Sequence, residues 1–279
     1  MTVEFTKMHG LGNDYLFIEA DRCPVPSPED LARRMSHRHL GVGADGIILI
    51  LPGTGDADFA MRIFNADGSE AETCGNGIRC FAKYVYERNM TRKTNFVIET
   101  RGGPNRVHLT VDNGRVTSVR SNMGIPRFER GQIPMLGPAG RVIEEELQTD
   151  RGVFRVTCVN IGNPHAVVFV DDATAVPLAE YGPAIENHPV FPQRTNAEFV
   201  HVLDRRNIVM RIWERGSGIT MASGSGSCGA ALASMITGRT ERCVDVHLVY
   251  GALTVEWADD GCVYQEGPAS EVFTGTWKD

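Results

Sequence analysis

The sequence predicts an α/β protein built from two similar halves, and three observations favour this fold class. The stretch from Asn65 to Cys80 has a counterpart from Glu214 to Cys228, about half the chain further on. In both stretches a predicted strand leads through polar and small residues into Gly-X-Gly and then a helix-like apolar run. The run from Ala230 to Ile236 is apolar nearly all round, which is typical of a helix enclosed by protein, and a curved sheet would enclose it.

The elements of the first half follow from helix and turn signals. Ser27-Pro28-Glu-Asp supplies an N-cap, a first-turn proline and acidic residues, which predicts a helix to about His37. A second helix is predicted from Ile78 to Asn89, and Asp112-Asn-Gly114 indicates a hairpin turn. Strands are predicted at Val3 to Thr6, Tyr15 to Glu19, Ile47 to Leu51, Phe59 to Phe64, Asn95 to Thr100, Arg106 to Val111 and Arg115 to Ser121.

Proline and glycine crowd the interval from Gly124 to Gly140, which predicts a crossing between domains of residues 1–122 and 123–279. In the second half, helices are predicted at Leu178 to Glu186 and Cys228 to Thr237. Strands are predicted at Phe154 to Val159, Ala166 to Val170, Glu198 to Leu203, Ile208 to Trp213, Val244 to Val249, Leu253 to Trp257, Val263 to Gln265 and Val272 to Thr274.

Composition narrows the class of protein. A chain of 279 residues with 42% hydrophobic content can bury a substantial core. A net charge of −7 argues against a nucleic-acid partner, because phosphate binding depends on Lys and Arg. The sequence has neither the apolar core of a signal peptide nor a stretch of about 20 apolar residues for a membrane span. Seven scattered cysteines, without disulfide or zinc spacing, indicate reduced thiols, and we expect a cytoplasmic protein without a membrane partner.

The local chemistry of Cys74 predicts a reactive thiol. Gly75 and Gly77 allow a tight turn, and a helix start beside them offers N–H donors and the positive end of the helix dipole. Such a site can hold a carboxylate and lower a thiol pKa from about 8.5. Gly224-Ser225-Gly226 repeats this frame after Ser223. Two facing groups of this kind suit removal of a Cα proton from one face of an amino acid and return to the other. A lone cysteine is more often a small buried hydrophobe, but the repeated frame disfavours that interpretation.

These motifs resemble the diaminopimelate epimerase family, whose members interconvert LL- and meso-diaminopimelate with two cysteines and without pyridoxal phosphate. The resemblance covers essentially the whole chain, through Lys7 to Tyr15, Gly41 to Gly46, Asn65 to Cys80, Ile161 to Ala166, Arg194 to Val200, Glu214 to Gly216 and Gly267 to Ala269. It implies lysine and peptidoglycan precursor biosynthesis and a homodimer. It also implies two α/β domains, each a curved antiparallel sheet or barrel around a central helix, with the active site in the cleft between them.

The resemblance implies roles for residues of this chain. Cys74 and residue 223 would be catalytic, Glu214 would receive the ammonium group at the reacting centre, and Asn13 would contact substrate. The cradle for the reacting carboxylate would be formed by Gly75, Asn76, Gly77, Gly224 and Ser225.

The family likeness also implies that Arg215, with Asn65 and Asn196, grips the distal amino-acid end of the substrate. An arginine fork meets a carboxylate bidentately, so this clamp would distinguish diaminopimelate from a simple α-amino acid. Asn163 and His165 would bind substrate, with His165 near the reacting centre. From the residues alone, a lone histidine is as often structural, and a Glu-Arg pair such as Glu214-Arg215 is ordinarily a solvated surface pair.

The sequence lacks the common cofactor-binding motifs, and we expect a protein that acts on a small-molecule substrate without a cofactor. No glycine-rich dinucleotide fingerprint follows a predicted strand and no P-loop is present, so we expect no nucleotide cofactor. Nothing in the sequence requires pyridoxal phosphate. We also expect no metal, because no histidine or further cysteine lies at ligand spacing from Cys74 and Cys80.

The most consequential departure from the family pattern is Ser223, where a second cysteine is expected. A hydroxyl is a far weaker acid than a thiol, so Ser223 is a poor base for a carbon acid. Loss of a positioned acid or base lowers a rate by about 10²- to 10⁴-fold, and we predict little or no epimerase activity. Three explanations stay open: an engineered Cys-to-Ser form of an ordinary epimerase, a related racemase or a natural one-base enzyme that dehydrates a hydroxy-amino acid, and a non-catalytic amino-acid-binding protein.

Overall fold

A computed structural model describes residues 2–278 of the chain and divides it into two compact units. Unit 1 contains the chain up to Asn122 and again from Gly267 onward, and unit 2 is Met123–Glu266. No helix within residues 2–278 combines the length and the apolar character needed to cross a membrane.

The first ten elements follow one another from the N-terminal strand to a long hairpin. In chain order they are β1 (Thr2–Gly10), β2 (Asn13–Glu19), α1 (Pro28–Ser36), β3 (Gly46–Pro52), β4 (Phe59–Asn65), β5 (Glu70–Ala71), α2 (Gly75–Glu87), β6 (Asn95–Thr100), β7 (Gly103–Asp112) and β8 (Arg115–Gly124). Cys74 directly precedes α2, so the helix predicted to begin at this residue is confirmed.

The remaining elements repeat the same alternation of strands and helices. They are β9 (Glu145–Thr149), β10 (Gly152–Asn160), β11 (Pro164–Phe169), α3 (Leu178–Glu186), β12 (Asn196–Val202), β13 (Asn207–Glu214), β14 (Gly218–Ile219), α4 (Gly224–Ile236), β15 (Cys243–Leu248), β16 (Gly251–Trp257), β17 (Val263–Gly267) and β18 (Ser270–Lys278). Short 3₁₀ turns lie at Arg130–Gln132 and Ala173–Ala175.

The two units share one strand topology. In unit 1 the sheet order is β18-β1-β2-β3-β4-β6-β7-β8, with β2–β3 and β4–β6 parallel and β5 paired to β4. In unit 2 it is β9-β10-β11-β12-β13-β15-β16-β17, with β11–β12 and β13–β15 parallel and β14 paired to β13. The predicted pseudo-symmetric α/β fold is therefore confirmed.

The sheets are mixed rather than wholly antiparallel. A helix lies between the two strands of each parallel pair. In unit 1, α1 lies between β2 and β3, and α2 follows the short β5 and lies between β4 and β6. In unit 2, α3 lies between β11 and β12, and α4 follows the short β14 and lies between β13 and β15. A parallel return requires such a crossover, whereas a tight turn can return a chain only antiparallel.

One helix of each unit packs on the core-forming face of its sheet. Phe81 and Val85 of α2 belong to a buried cluster with side chains of β1, β2, β3, β4, β6, β7 and β8. In α4, Cys228 and the segment from Ala230 to Ala233 have no exposed surface, as the all-round apolar pattern predicted. On the opposite face of the sheet α1 packs in unit 1 and α3 in unit 2.

The end of the chain corrects the predicted domain division. Residues from Gly267 onward belong to unit 1, although they were assigned to a second domain of residues 123–279. The reason is that β18 pairs antiparallel with β1, from Thr2 opposite Lys278 to His9 opposite Ser270. In unit 2 the equivalent outer position is taken by β9, which precedes its partner β10 in the chain. Local composition does not reveal a pairing between the two ends of a sequence.

Three strands were not predicted. β5 and β14 have two residues each, which is too short for a periodic pattern. β9 is mostly exposed and shows no apolar alternation. The hairpin turn at Asp112-Asn-Gly114 is confirmed, and both Asn113 and Gly114 have positive φ values of 49° and 76°.

The packing of β18 on β1 predicts a destabilising substitution. A Cβ at Gly275 would lie 2.6 Å from Cζ of Phe5, its cross-strand partner, so Gly275→Ala should lower the free energy of unfolding by about 1–3 kcal/mol. Urea unfolding followed by circular dichroism measures this. Gly131→Ala is the matched control, because no heavy atom of residues 2–278 outside its own stretch of chain lies within 4 Å of its Cβ position. Equal stability of the two variants would contradict the packing described for the C-terminal strand.

Candidate active site

Cys74 caps helix α2 at a strand-to-helix junction. Its backbone is extended, with φ −150° and ψ 111°, and its Sγ accepts a hydrogen bond of 3.3 Å from the backbone N–H of Gly77. This is the geometry of an N-cap side chain, which satisfies one of the unpaired donors of the first helical turn. The sulfur is half-buried and lies against the positive end of the helix dipole.

Ser223 reproduces this arrangement in unit 2. It is the N-cap of α4, with φ −130° and ψ 122°, and its Oγ accepts a hydrogen bond of 3.2 Å from the backbone N–H of Gly226. Each helix is 13 residues long and begins with Gly-X-Gly. The two helix starts predicted from the sequence therefore have the same local structure.

The third residue of each helix must be glycine for a steric reason. A Cβ at Gly77 would lie 2.8 Å from Cδ1 of Ile48, and a Cβ at Gly226 would lie 2.5 Å from Cδ1 of Ile212. The same added atom at Gly226 would lie 3.1 Å from Oγ of Ser223. Glycine here lets the helix start approach the sheet and lets the capping side chain reach the N–H group.

Asn13 and Asn76 lie together beside Cys74. The thiol lies 3.6 Å from Oδ1 of Asn13, which also accepts a hydrogen bond of 3.1 Å from Nδ2 of Asn76. Asn76 is in turn oriented by Arg79, whose Nη2 donates to Oδ1 of Asn76 at 2.7 Å. Arg79 is fully buried and also donates from Nε to the carbonyl of Pro268 at 3.2 Å. The two asparagines predicted to bind substrate are thus held by partners within unit 1.

A network of charged side chains fixes the orientation of the Asn13 side chain. Its Nδ2 donates to Oδ2 of Asp45 at 2.7 Å, and Arg38 bridges Asp45 and Asp14 at 2.8 and 2.9 Å. Burial acts to raise the pKa of Asp14, but hydrogen bonds from Arg38 and Lys7 outweigh it and the pKa is lowered. The pKa of Asp45 is raised, mainly by burial. The network therefore keeps Asp14 ionised and fixes the turn between β1 and β2.

Tyr15 is a buried neighbour of Cys74. Burial raises the pKa of its phenol well above the ordinary value, and a hydrogen bond with Cys74 adds to that shift. Its hydroxyl therefore stays protonated under conditions in which a thiol ionises. A protonated phenol can donate a hydrogen bond to a thiolate and stabilise it.

Asn65 lies at the turn between β4 and β5. Its backbone N–H donates to the carbonyl of Ser69 at 2.9 Å, and its Nδ2 donates to Oγ of the same residue at 3.0 Å. Gly68, with φ 84°, completes the turn. The turn leads directly into the segment that carries Cys74.

Glu214 is the carboxylate next to Ser223. Its Oε2 accepts a hydrogen bond of 3.1 Å from Oγ of Ser223, and its Oε1 accepts a short hydrogen bond from Oγ1 of Thr220. It ends β13, immediately before the β13–β14 hairpin. The predicted proximity of Glu214 to the second helix start is present within unit 2.

Asn163 and His165 form part of a line of hydrogen bonds at the start of α4. Nδ2 of Asn163 donates to Oγ of Ser225 at 3.2 Å, and its Oδ1 lies 2.9 Å from Nε2 of His165. His165 is fully buried, and its Nδ1 lies 2.6 Å from Oε1 of Glu198. Both ring nitrogens thus have protein partners, and His165 acts on the site through Asn163.

Asn196 and Arg215 are joined through the backbone. Oδ1 of Asn196 accepts from the backbone N–H of Arg215 at 2.9 Å, and its Nδ2 donates to the carbonyl of Pro164 at 2.8 Å. The guanidinium of Arg215 is half-buried and donates from Nη1 to the carbonyl of Gln193 at 3.0 Å.

Glu186 holds the same loop from α3. It accepts hydrogen bonds from the backbone N–H of Gly216 at 2.9 Å and from Nε1 of Trp213 at 2.6 Å. A third donor, Nη1 of Arg194, lies 3.1 Å away. A buried carboxylate with three donors fixes the backbone on both sides of Arg215.

Among residues 2–278, no group of three or more His, Cys, Asp or Glu side chains is placed to hold a metal ion. A separate polar cavity of about 970 Å³ lies in unit 1 and contains none of the predicted site residues. Four of the charged side chains that line it form ion pairs, Arg22 with Glu19 and Arg88 with Glu271. The helix starts, rather than this cavity, carry the chemistry suited to a reaction at Cα.

Comparison with protein families places the chain. A family model described as diaminopimelate epimerase matches residues 5–129 and 157–272. The chain belongs to the diaminopimelate epimerase family. It is 52% identical over 278 residues to the diaminopimelate epimerase of Pelotomaculum thermopropionicum, with 99% of each chain covered. It is 44% identical over 274 residues to that of Methanococcus maripaludis, with 98% of this chain and 99% of the relative covered.

Solved structures share the fold of this diaminopimelate epimerase family member at low sequence identity. The phenazine biosynthesis protein of the PhzF family from Bacillus anthracis aligns with a TM-score of 0.73 at 16% identity, covering 100% of both chains. A hydroxyproline epimerase from Agrobacterium vitis with bound trans-4-hydroxy-L-proline aligns with a TM-score of 0.69 at 16% identity, covering 99% and 91%.

Four residues that hold the site together in this family member were not predicted. Tyr15, Arg79 and Glu198 lie inside the family motifs and inside predicted strands or helices, and the sequence pattern assigns them no further role. The sequence feature that could have identified them is a polar or charged side chain within an apolar stretch, because such a side chain requires a hydrogen-bonding partner when it is buried. Glu186 lies outside every motif, and no sequence signal indicates it.

The contact of Tyr15 with Cys74 predicts a change in thiol reactivity. In Tyr15→Phe the hydroxyl donor is lost, so alkylation of Cys74 by iodoacetamide at about pH 8 should slow by roughly three- to tenfold. Mass spectrometry of the peptide that contains Cys74 measures the rate separately from the other cysteines. Tyr250→Phe is the control, because Tyr250 is 63% exposed. Unchanged or faster alkylation of Cys74 would show that the phenol does not stabilise the thiolate.

Proposed function

We propose that this protein is a cofactor-independent epimerase that interconverts LL- and meso-diaminopimelate by proton transfer at Cα. The main support for this proposal is that Cys74 and Ser223 cap helices α2 and α4 in the same way. Each side chain accepts a hydrogen bond from the backbone N–H of the residue three positions later. Membership of the diaminopimelate epimerase family supports the substrate, and its members are isomerases.

The first turn of each helix supplies donors for the reacting carboxylate. Backbone N–H groups at a helix start point outward, and the helix dipole favours an anion there. We assign this role to the helix start formed by Gly75, Asn76 and Gly77, where the N–H of Gly77 is already donated to Sγ of Cys74, and to the one formed by Gly224 and Ser225. A carboxylate held by these donors also accepts electron density from Cα when the proton leaves.

In the reaction, a thiolate removes the Cα proton and a group on the opposite face returns a proton to the carbon. The C–H bond breaks with its electron pair left on carbon, and the new C–H bond forms from the partner acid, so no oxidant or reductant is consumed. Cys74 is one of these groups, and residue 223 is the other. Glu214 adjoins residue 223 and can both accept its proton and hold the substrate ammonium group.

Ser223 leaves this geometry intact but changes its chemistry. The hydroxyl keeps the cap and the hydrogen bond to Glu214, yet it is a much weaker acid than a thiol. We infer that the chain as written epimerises slowly or not at all. Measuring Cα proton exchange with the chain as written and with Ser223→Cys distinguishes the three explanations: an engineered form, a one-base enzyme or related racemase, and an amino-acid-binding protein.

Specificity for diaminopimelate is assigned to the distal clamp of Arg215, Asn65 and Asn196. Arg215 provides the guanidinium fork, and Glu186 and Asn196 fix the backbone that carries it. Asn13 and Asn163 complete the proposed binding residues, and His165, predicted from the sequence to bind substrate, orients Asn163 instead because both of its ring nitrogens have protein partners. A cytoplasmic homodimer is also part of the proposal; the presence of all seven cysteines as thiols supports a reducing compartment.

Restoring a thiol at position 223 should restore exchange. In Ser223→Cys, exchange of the substrate Cα proton with deuterium from solvent should rise by about 10²- to 10⁴-fold over the chain as written. NMR or mass spectrometry of diaminopimelate in D₂O measures this. Cys74→Ser in the Ser223→Cys background should remove the gain, whereas Cys262→Ser should not.

The possible outcomes separate the three explanations. Equal exchange by both forms would refute the weak-acid argument. Dehydration of a hydroxy-amino acid by the chain as written would identify a one-base enzyme. Tight diaminopimelate binding without exchange by either form would identify a binding protein.

The distal clamp makes a separate prediction. Arg215→Met removes the guanidinium fork and should weaken diaminopimelate binding by about 10- to 100-fold. It should leave the affinity for 2-aminoheptanoate, which lacks the distal amino-acid end, nearly unchanged. Isothermal titration calorimetry measures both, and Arg205→Met serves as the control because Arg205 is exposed and lies in a surface ion pair. A parallel loss for both ligands would remove Arg215 from the clamp.

A further inference from the structure

A fully buried carboxylate, Glu198, stands behind the residues at the start of α4. The parallel pairing of β11 and β12 places His165 opposite Asn196 and Val167 opposite Glu198. Because side chains alternate along a strand, His165 and Glu198 share one face and are diagonal neighbours. Neither side chain has exposed surface, and Nδ1 and Oε1 are 2.6 Å apart.

The hydrogen bonds around His165 fix the position of one proton. Nδ2 of Asn163 donates to Ser225, so Oδ1 is the atom that faces Nε2 of His165 at 2.9 Å. An amide oxygen only accepts, and Nε2 must therefore carry a hydrogen. A further proton lies between Nδ1 and Glu198, either on the ring beside a carboxylate or on a neutral carboxyl group. In both cases the pair is electrically neutral.

Burial keeps that proton in the pair. Its loss would leave a net negative charge in a site without solvent, next to Glu214 on β13. Burial raises the pKa of Glu198 and Glu214 adds to the shift, while His165 opposes it. Cys158 of β10 also interacts with Glu198, and burial raises the pKa of its thiol so that the thiol stays neutral.

Two further observations indicate that the surrounding structure holds the His165–Glu198 pair in place for a function. A Cβ on Gly229 of α4 would lie 2.8 Å from Cγ of His165, so the helix backbone holds the ring in place. Oε2 of Glu198 is buried and has no hydrogen-bond partner among residues 2–278. An unsatisfied buried oxygen is destabilising, and its presence calls for a purpose other than stability.

The line of hydrogen bonds ends at Ser225. Because Oγ of Ser225 accepts from Asn163, its own hydrogen is directed elsewhere and can be donated to an anion at the helix start. We propose that Glu198 is a positioning residue: with His165 it forms a proton-sharing pair that keeps a hydrogen on Nε2, and so orients Asn163 and aims the Ser225 hydroxyl at the substrate carboxylate. The identity of that anion rests on the proposed function.

The proton placement is tested without any ligand. Histidine labelled with ¹⁵N reports which ring nitrogen carries hydrogen, and in the chain as written Nε2 of His165 should carry it. In Glu198→Gln the amide can either donate to or accept from Nδ1, so the ring should populate both tautomers. A bare Nε2 in the parent protein would mean that the Asn163 amide is reversed, and would overturn the proposal.

A double-mutant cycle tests the route through Ser225. Calorimetry on the chain as written should show diaminopimelate binding weakened about tenfold by Glu198→Gln and about 10- to 100-fold by Ser225→Ala. In the Ser225→Ala background, Glu198→Gln should have almost no further effect. Glu241→Gln, at an exposed ion pair, is the control.

The outcomes are distinguishable from failure of the proposed function. An undiminished effect of Glu198→Gln in the Ser225→Ala background would assign Glu198 a merely structural role and refute the proposal. If no form binds diaminopimelate, the proposed function fails, and the ¹⁵N spectrum of the parent protein still decides where the proton lies. The same spectrum decides the matter if Glu198→Gln does not fold.

Discussion

The capping of a helix start by a protic side chain is the interaction on which the rest of the molecule depends. In each unit the capping atom must reach an N–H three residues further on, and this requires the helix to approach the sheet where only glycine fits. At Gly77 the obstacle is Ile48, and at Gly226 it is Ile212. The geometry therefore follows from packing rather than from the identity of the capping residue. This is why Ser223 caps α4 through the same contact that Cys74 makes at α2, although a hydroxyl is a much weaker acid than a thiol.

Buried charges give these helix starts their rigidity. Arg79 orients Asn76, the Asp14–Asp45–Arg38 network orients Asn13, Glu186 holds the Arg215 loop, and Glu198 holds His165. Each charged side chain has a hydrogen-bond partner on another helix, strand or loop, so these hydrogen bonds hold the secondary-structure elements of each unit in fixed positions. Removing one partner would leave a charge unpaired in a poorly solvated place, which is strongly unfavourable. The residues proposed to contact substrate are thus supported by a second layer that contacts only protein.

The shared topology of the two units explains where the chain must return. Each sheet has an outer strand beside its first long strand, supplied by β9 ahead of β10 in unit 2 and by β18 from the other end of the chain in unit 1. The two mixed sheets each enclose one 13-residue helix, and the small residues of α4 and the larger ones of α2 fill equivalent volumes differently. The pseudo-symmetry therefore lies in strand order and helix placement, and the side chains that fill each core are free to differ.

The fold class, most strands, the enclosed helix, the two helix starts and the family can all be predicted from the amino-acid sequence. These depend on local signals: Gly-X-Gly frames, apolar periodicity, turn residues and motif order. Three features become visible only in the folded chain: the last strand joins unit 1, Tyr15 lies against Cys74, and Glu186 and Glu198 are buried beneath the proposed binding residues. Strand pairing across the length of the chain and the partner of a buried charge are non-local, and the free energy that selects them comes from hydrogen bonds and desolvation between residues far apart in sequence.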